Sequence, residues 1–194
     1  HHRGEPPEPL DALPRPAWER VDLDALDRFR ASIIDHLGRA AWAFPIDGRT
    51  LPLVTSRGCP FTCVHCSSNP DRRAGEPKTQ RRHGPARVRA ALEQLRRLGA
   101  TRVAVLDELV NVSERHFDAL LSAVTELDLR LEIPNGMRAD YLRPEHLRAL
   151  KGRVTTVSVS AESGSPRVVR DVVRKQLDLQ TIVDAARNAH EAGV

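Results

Sequence analysis

Three cysteines are the residues of this sequence with the clearest capacity for chemistry. Cys59, Cys63 and Cys66 lie within eight residues, and the other 186 positions contain no cysteine. Three residues and then two separate them, so one loop can bring three thiolates to a single compact centre. Thiolates are the usual ligands of a cubane iron–sulfur cluster, and three of them leave one iron open to a small molecule.

Zinc is the main alternative to an iron–sulfur cluster as the metal that these thiols bind. A structural zinc site needs four ligands, which only His65 or the distant His83 could complete. A disulfide framework is disfavoured because the cysteines are odd in number and clustered. The spacing therefore favours an iron–sulfur cluster, and a zinc-binding interaction module stays as an alternative.

The elements around the cysteines alternate between strands and helices. Residues 1–20 contain five prolines and predict a connector, and helical spacing over residues 21–37 predicts an amphipathic helix that begins near Asp22. Strands are predicted at residues 51–55, 101–106, 129–133 and 154–160. Helices are predicted at residues 85–98, 113–127, 144–150, 168–173 and 178–192, with Ser113 as a cap.

This alternation predicts an α/β fold with a parallel sheet, either a barrel or a doubly wound sheet. Both place their chemistry at the carboxyl ends of the strands. Polar residues follow each predicted strand, at 57–66, 107–108, 135–138 and 160–163. The chain stops where a fifth strand would start, so we expect a truncated domain.

The cysteine motif resembles the signature of the radical S-adenosylmethionine (SAM) superfamily. The resemblance extends from about Leu51 to the last residue and includes the segments TSRGCPF, LDE and AESGS, which begin at Thr55, Leu106 and Ala161. It implies that residues 48–194 form the first half of a partial (β/α) TIM-like barrel. Residues 1–47 would be a linker and helix from an upstream domain.

The resemblance also implies cofactors and a role for each site residue. Cys59, Cys63 and Cys66 would hold a 4Fe-4S cluster, which would reductively cleave SAM to a 5'-deoxyadenosyl radical. The adenine would lie near the backbone of His65. The expected contacts of the remaining SAM groups are Asp107 or Glu108 for the ammonium, Arg138 or Lys175 for the carboxylate, and the segment from Ser160 through Glu162 and Ser163 for the ribose.

The connector from Leu10 to Trp18 resembles the segment that joins a cobalamin domain to the barrel in cobalamin-dependent members of the superfamily. This implies cobalamin as a further cofactor and methyl transfer, or a related rearrangement or cyclisation, as the reaction. A methylthiotransferase that acts on RNA or protein is an alternative. It would suit the basic residues between Arg72 and Arg82, but the upstream cysteines typical of that class are absent from this sequence.

Composition limits the partners that we expect. Charged residues make up 29% and apolar residues 40% of the chain, and no apolar run approaches the roughly 18 residues of a membrane span. We expect a cytoplasmic enzyme without a membrane or nucleic-acid partner, because no aromatic residues for base stacking accompany the basic stretch. The expected partners are SAM, an unidentified substrate and an electron donor such as flavodoxin or ferredoxin.

Overall fold

A computed structural model describes residues 9–38, 47–66 and 79–194 of the chain. Its centre is a parallel sheet in the order β1 (Arg49–Leu53), β4 (Ala100–Val105), β5 (Arg130–Glu132). A short antiparallel pair, β2 (Ser56–Arg57) and β3 (Arg81–Arg82), extends from the carboxyl end of β1. The α/β class with parallel strands is as predicted, and it is consistent with a partial TIM-like barrel.

Five α-helices accompany the strands in the described residues. They are α1 (Leu23–Leu37), α2 (Pro85–Arg97), α3 (Glu114–Glu126), α4 (Pro144–Leu150) and α5 (Leu179–Ala192), with a π-helical turn at Val168–Val172. Asp22 accepts a hydrogen bond from the amide of Ala25 and so begins α1, as predicted. Ser113 is the N-cap residue of α3, but its side chain forms no capping hydrogen bond.

One face of the sheet packs against the helices. In the parallel register Leu51 lies beside Val103, and Val103 lies beside Leu131. All three are fully buried, and they pack in one cluster with Leu92 of α2 and apolar residues of α3 such as Phe117. Since side chains alternate between the two faces of a strand, Val103 and Val105 of β4 both face the helices.

The predicted fourth strand is the main difference between sequence and structure. Residues 154–160 form only an isolated parallel bridge, between Met137 and Val159. After β5 the chain turns, with the amide of Gly136 bonded to the carbonyl of Ile133. Pro134 has no amide hydrogen to donate, so a continuous ladder cannot form there. Segment 154–160 still lies beside β5 and the residues that follow it, but it is not a regular strand.

The connector packs against the start of α2. The carboxylate of Asp11 accepts hydrogen bonds from the amide of Gly84, at 3.0 and 3.2 Å, and lies 2.7 Å from Nδ1 of His83. A guanidinium nitrogen of Arg87 donates to the carbonyl of Leu13. The connector is thus fixed to the same strand–helix junction that precedes α2. Within the described ranges, no helix has the length and apolarity needed to cross a membrane.

Candidate functional site

The cysteine loop starts where β2 ends, at the carboxyl edge of the sheet. Gly58 opens it with φ of +89°, a backbone conformation that side chains disfavour. A Cβ atom at Gly58 would lie 2.7 Å from the carbonyl oxygen of Thr79. The loop turns again where the amide of Cys66 donates to the carbonyl of Cys63. Cys59 and Cys63 are half-buried, whereas Cys66 is exposed.

Asp107 binds the stem of this loop. Its carboxylate accepts three hydrogen bonds, from the Thr55 amide at 2.6 Å, the Thr55 hydroxyl at 2.5 Å and the Ser56 hydroxyl at 2.6 Å. Only 2% of Asp107 is exposed, and Thr55 and Ser56 are fully buried. Hydrogen bonds to an ionised carboxylate are charge-assisted and strong, so Asp107 fixes the backbone that leads into Cys59.

Glu108, the next residue, lies in a bend after β4 and is exposed. Its Oε2 atom accepts a hydrogen bond from the amide of Gly58 at 3.1 Å. Among the described residues nothing donates to Oε1 of Glu108. The acidic pair therefore holds residues 55–58 from two sides, and of the two side chains Glu108 is the one with an unused acceptor.

His116 is a buried member of this group that the sequence analysis missed. Its Nε2 atom lies 2.8 Å from the Thr55 hydroxyl oxygen. Burial lowers the pKa of His116, although the negative charge of Asp107 opposes that shift. The sequence contained a signal for it, because His116 is four residues before Leu120 and so lies on the apolar face of α3.

Arg138 supports the middle of the cysteine loop. Its guanidinium carbon lies 3.9 Å from the centroid of the Phe61 ring, within the range of a cation–π contact. Two of its nitrogens donate to the Asp140 carboxylate at 2.9 and 2.7 Å, and one also donates to the carbonyl of Gln176. Arg138 is 5% exposed. These contacts engage it without SAM.

The end of the loop meets segment 160–163. The ammonium of Lys175 donates to the Ser160 carbonyl at 2.6 Å and to Glu162 at 2.9 Å. The other oxygen of Glu162 lies 3.4 Å from Nε2 of His65. The hydrogen bond from Lys175 lowers the pKa of Glu162 and keeps it ionised. Next to it, the Ser163 hydroxyl accepts a hydrogen bond from the amide of Ser165.

Glu162 has an unusual backbone conformation, with φ of +64°. Such a conformation costs about 1–3 kcal/mol in a non-glycine residue and is most frequent at functional sites. The amide of Val64 also donates to the carbonyl of Val173, just after the π-helical turn. The cysteine loop is thus in contact with the carboxyl end of β4, with Arg138 and with the segment that carries Glu162.

The predicted site residues gather around the loop, but the three thiols do not converge on one point. In the described parts of the chain, no three His, Cys, Asp or Glu side chains are close enough to bind a metal ion. The donor set nevertheless fits a cluster, because the loop offers three thiols and a cluster with one open iron does not need the exposed imidazole of His65. Closed tetrahedral zinc would need that imidazole, which instead faces Glu162.

Comparison with known proteins identifies the family. The family model described as "Radical SAM superfamily" matches residues 53–194, which is most of the chain. The chain belongs to the radical SAM superfamily. Its members use a 4Fe-4S cluster and SAM, which agrees with the interpretation of the cysteine motif.

Two curated relatives of this chain carry methyltransferase names. An uncharacterized methyltransferase of Pyrococcus horikoshii is 29% identical over 199 residues, which cover 99% of this chain and 38% of the relative. Cytidylyl-2-hydroxyethylphosphonate methyltransferase of Streptomyces wedmorensis is 23% identical, over 95% of this chain and 33% of the relative. This chain therefore spans about a third of the length of these relatives.

A solved structure supports the fold of this radical SAM chain. The methyltransferase TsrM from Kitasatospora setae, determined with cobalamin and a 4Fe-4S cluster bound, superposes with a TM-score of 0.62. The match covers 76% of this chain and 28% of TsrM at 19% identity. At that identity the match establishes a shared fold. It also agrees with the partial barrel that the sequence implied.

Proposed function

We propose that this chain is the front part of the catalytic domain of a radical SAM methyltransferase that depends on cobalamin. One observation carries the proposal: the CxxxCxxC loop leaves the carboxyl edge of a parallel sheet, and an acidic pair and a glutamate in a left-handed conformation are in contact with it. Those are the places where the family resemblance puts the cluster, the SAM ammonium and the ribose.

In this proposal Cys59, Cys63 and Cys66 hold the cluster. The chemistry that the bound cofactors would supply is a one-electron reduction of the SAM sulfonium, which would yield methionine and a 5'-deoxyadenosyl radical. The protein contributes orientation and exclusion of water, as is usual where a cofactor carries the reaction. Asp107 keeps the stem of the loop in place through its three buried hydrogen bonds.

Glu108 is the member of the acidic pair that we assign to the SAM ammonium. It is exposed beside Gly58, and its Oε1 atom accepts no hydrogen bond from any described residue. Asp107 is unsuited to that contact because three donors already surround its carboxylate. An ammonium placed between Glu108 and the cysteine loop would gain a charge-assisted hydrogen bond.

The nucleoside part of SAM would lie along the loop end. Glu162 and Ser163 would face the ribose hydroxyls, and the backbone near His65 would face the adenine. Lys175 supports this role because it keeps Glu162 ionised and binds the carbonyl of Ser160. Arg138 and Lys175 are both engaged by protein groups, which favours supporting roles over a contact with the SAM carboxylate.

Methyl transfer and cobalamin are supported by the relatives and by the connector. Two curated relatives are named methyltransferases, and TsrM binds cobalamin in its solved structure. Residues 1–47 would then link an upstream cobalamin domain to the core, residues 48–194. Asp11, which contacts the junction before α2, would set where that linker enters. The cluster would need an electron donor such as flavodoxin or ferredoxin and a reducing compartment such as the cytoplasm.

Iron and acid-labile sulfide analysis tests the proposal. The full-length protein, purified and reconstituted without oxygen, is expected to be brown, to carry about four irons per chain and to bleach with dithionite. Alanine at Cys59, Cys63 and Cys66 together should remove the iron, while a variant with alanine at the exposed Ser122 on α3 should retain it. Stoichiometric zinc without sulfide would instead establish the zinc-binding alternative.

The methyl-transfer step needs a separate measurement. SAM labelled in its methyl group should deliver label to cobalamin bound by the reconstituted full-length protein. An enzyme that forms 5'-deoxyadenosine but never labels cobalamin would retain the radical SAM assignment and lose the methyltransferase assignment.

A further inference from the structure

We infer that His116 is a positioning residue for the cysteine loop, acting through the Thr55 hydroxyl. It lies on α3, 61 residues away from Thr55 in sequence, and it touches neither the cysteines nor the residues proposed to bind SAM. The inference rests on the proposed function only for the identity of the cofactor that the cysteine loop binds. The contact itself is a property of the protein chain.

The direction of the hydrogen bonds follows from the number of available protons. Thr55 has one hydroxyl hydrogen, and the 2.5 Å distance to a carboxylate oxygen of Asp107 assigns it to that bond. The Thr55 oxygen is therefore the acceptor toward His116, and Nε2 of His116 must carry a hydrogen. A neutral imidazole in that tautomer meets the requirement, and burial of His116 favours the neutral form.

The resulting chain of bonds leads from a helix to the loop. His116 donates to Thr55, and Thr55 donates to Asp107 through both its amide and its hydroxyl. Asp107 also binds Ser56, and Ser56 is three residues before Cys59. Thr55, Asp107 and His116 are at most 7% exposed, so water cannot replace a lost partner without entering the core. Losing one member leaves a buried donor or acceptor unsatisfied.

Matched substitutions separate this role from simple packing. Thr55→Val keeps the shape of the side chain but removes its hydroxyl, and His116→Leu removes the imidazole donor. His116→Gln places an amide nitrogen near the position of Nε2 and should restore the bond. Phe117→Leu is the control, because it loosens the same buried helix without touching the hydrogen bonds.

The first measurement is hydrogen exchange of metal-free full-length protein, read from peptides that cover residues 54–58. Exchange should accelerate about tenfold in His116→Leu, a change that corresponds to about 1.4 kcal/mol. His116→Gln and Phe117→Leu should stay near the parent rate in this segment. Equal acceleration in His116→Leu and Phe117→Leu would show that His116 only packs, and would overturn the inference.

The double variant gives a prediction of sign. In Thr55→Val the buried Nε2 hydrogen of His116 has no acceptor, so adding His116→Leu should restore part of the lost protection. Simple addition of the two losses would mean that the bond does not exist in solution.

The second measurement is the electron paramagnetic resonance spectrum of the reduced cluster, before and after SAM is added. His116→Leu should change the spectrum or lower the iron content, and His116→Gln should resemble the parent. A parent protein without a cluster would refute the proposed function, whereas a His116→Leu variant with both the spectrum and the iron content of the parent would refute the inference about His116.

Discussion

Neutralising each of the two adjacent acidic residues after β4 should impair a different property of the protein. Asp107→Asn is expected to destabilise the stem of the cysteine loop, and Glu108→Gln is expected to weaken SAM binding. The distinction follows from burial, since Asp107 is 2% exposed and Glu108 is an exposed side chain. Both substitutions keep the size of the side chain, so they change charge and hydrogen bonding alone.

The expected cost at Asp107 follows from its three hydrogen bonds. An asparagine oxygen can still accept from the Thr55 amide, but its NH2 group would face the hydroxyls of Thr55 and Ser56. Hydrogen bonds to a charged group are worth about 1.5–3 kcal/mol each. Because both hydroxyls can rotate and recover part of that loss, we expect unfolding to become easier by about 2–4 kcal/mol.

The expected effect of Glu108→Gln is on SAM binding and not on stability. A glutamine still accepts from the Gly58 amide, and surface substitutions usually change stability by less than about 0.5 kcal/mol. Loss of its charge should weaken SAM binding at least about tenfold, or 1.4 kcal/mol. We place the effect near the low end for charge pairs because Glu108 is exposed to solvent.

Two measurements on the full-length protein test this separation. Denaturant unfolding of the metal-free form gives the stability of each variant, and calorimetric titration of SAM into reconstituted protein gives the affinity, with iron content measured in parallel. Asp107→Asn should lower the unfolding midpoint and the iron content, and Glu108→Gln should change neither. If Asp107→Asn keeps both its midpoint and its iron but loses SAM affinity, Asp107 is the ammonium ligand and our reasoning from burial is wrong.

Two further predictions concern His116 and Gly58. Burial lowers the folded-state pKa of His116, so the unfolded chain binds more protons once the pH falls below about 6.5, the ordinary histidine pKa. The free energy of unfolding should therefore decline as the pH falls below that value, and His116→Gln should lack this part of the decline. The same dependence of unfolding free energy on pH in parent and variant would contradict the assignment. Gly58→Ala should cost about 1–2 kcal/mol for its positive φ, besides the contact with the Thr79 carbonyl, and should lower cluster content. Gly164→Ala, where a Cβ meets nothing within 4 Å, is the control, and equal losses in both glycine variants would refute the steric argument.

The fold class was predictable because the sequence carries strong local signals. Asp22 and Asp178 cap α1 and α5, Pro85 begins α2, and Gly193 ends α5 in a left-handed conformation. The strand predicted at residues 154–160 rests on local sequence alone. The local sequence gives no information about the segment that would pair with it, where Pro134 and the turn at Gly136 prevent a continuous ladder. Non-local pairing decided the outcome.

The cysteine loop and its neighbours show a similar division. The residue types and the strand ends identified which side chains gather there, since the ends of parallel strands share one edge. Contacts were harder to predict, because Arg138 meets the Phe61 ring and Lys175 meets Glu162 through loops that have no periodic pattern. The charge on Arg138 and Lys175 suggested a contact with the SAM carboxylate, which stays a prediction; in the structure both side chains are buried and donate to protein groups.

The separate roles of Asp107 and Glu108 were available from the sequence through the alternation of β4. Val103 and Val105 are the fully buried, helix-facing positions of that strand. Extending the period of two beyond Val105 predicts that Asp107 is on the buried side and Glu108 on the exposed side, which matches their burial in the structure. A carboxylate that points into the helix layer must find its donors in the protein, and here it finds Thr55 and Ser56 at the stem of the cysteine loop. A carboxylate on the opposite face keeps an oxygen for a ligand. Strand parity therefore separates the two acids, and the paired substitutions at these positions test our proposal that Asp107 holds the loop and Glu108 binds the SAM ammonium.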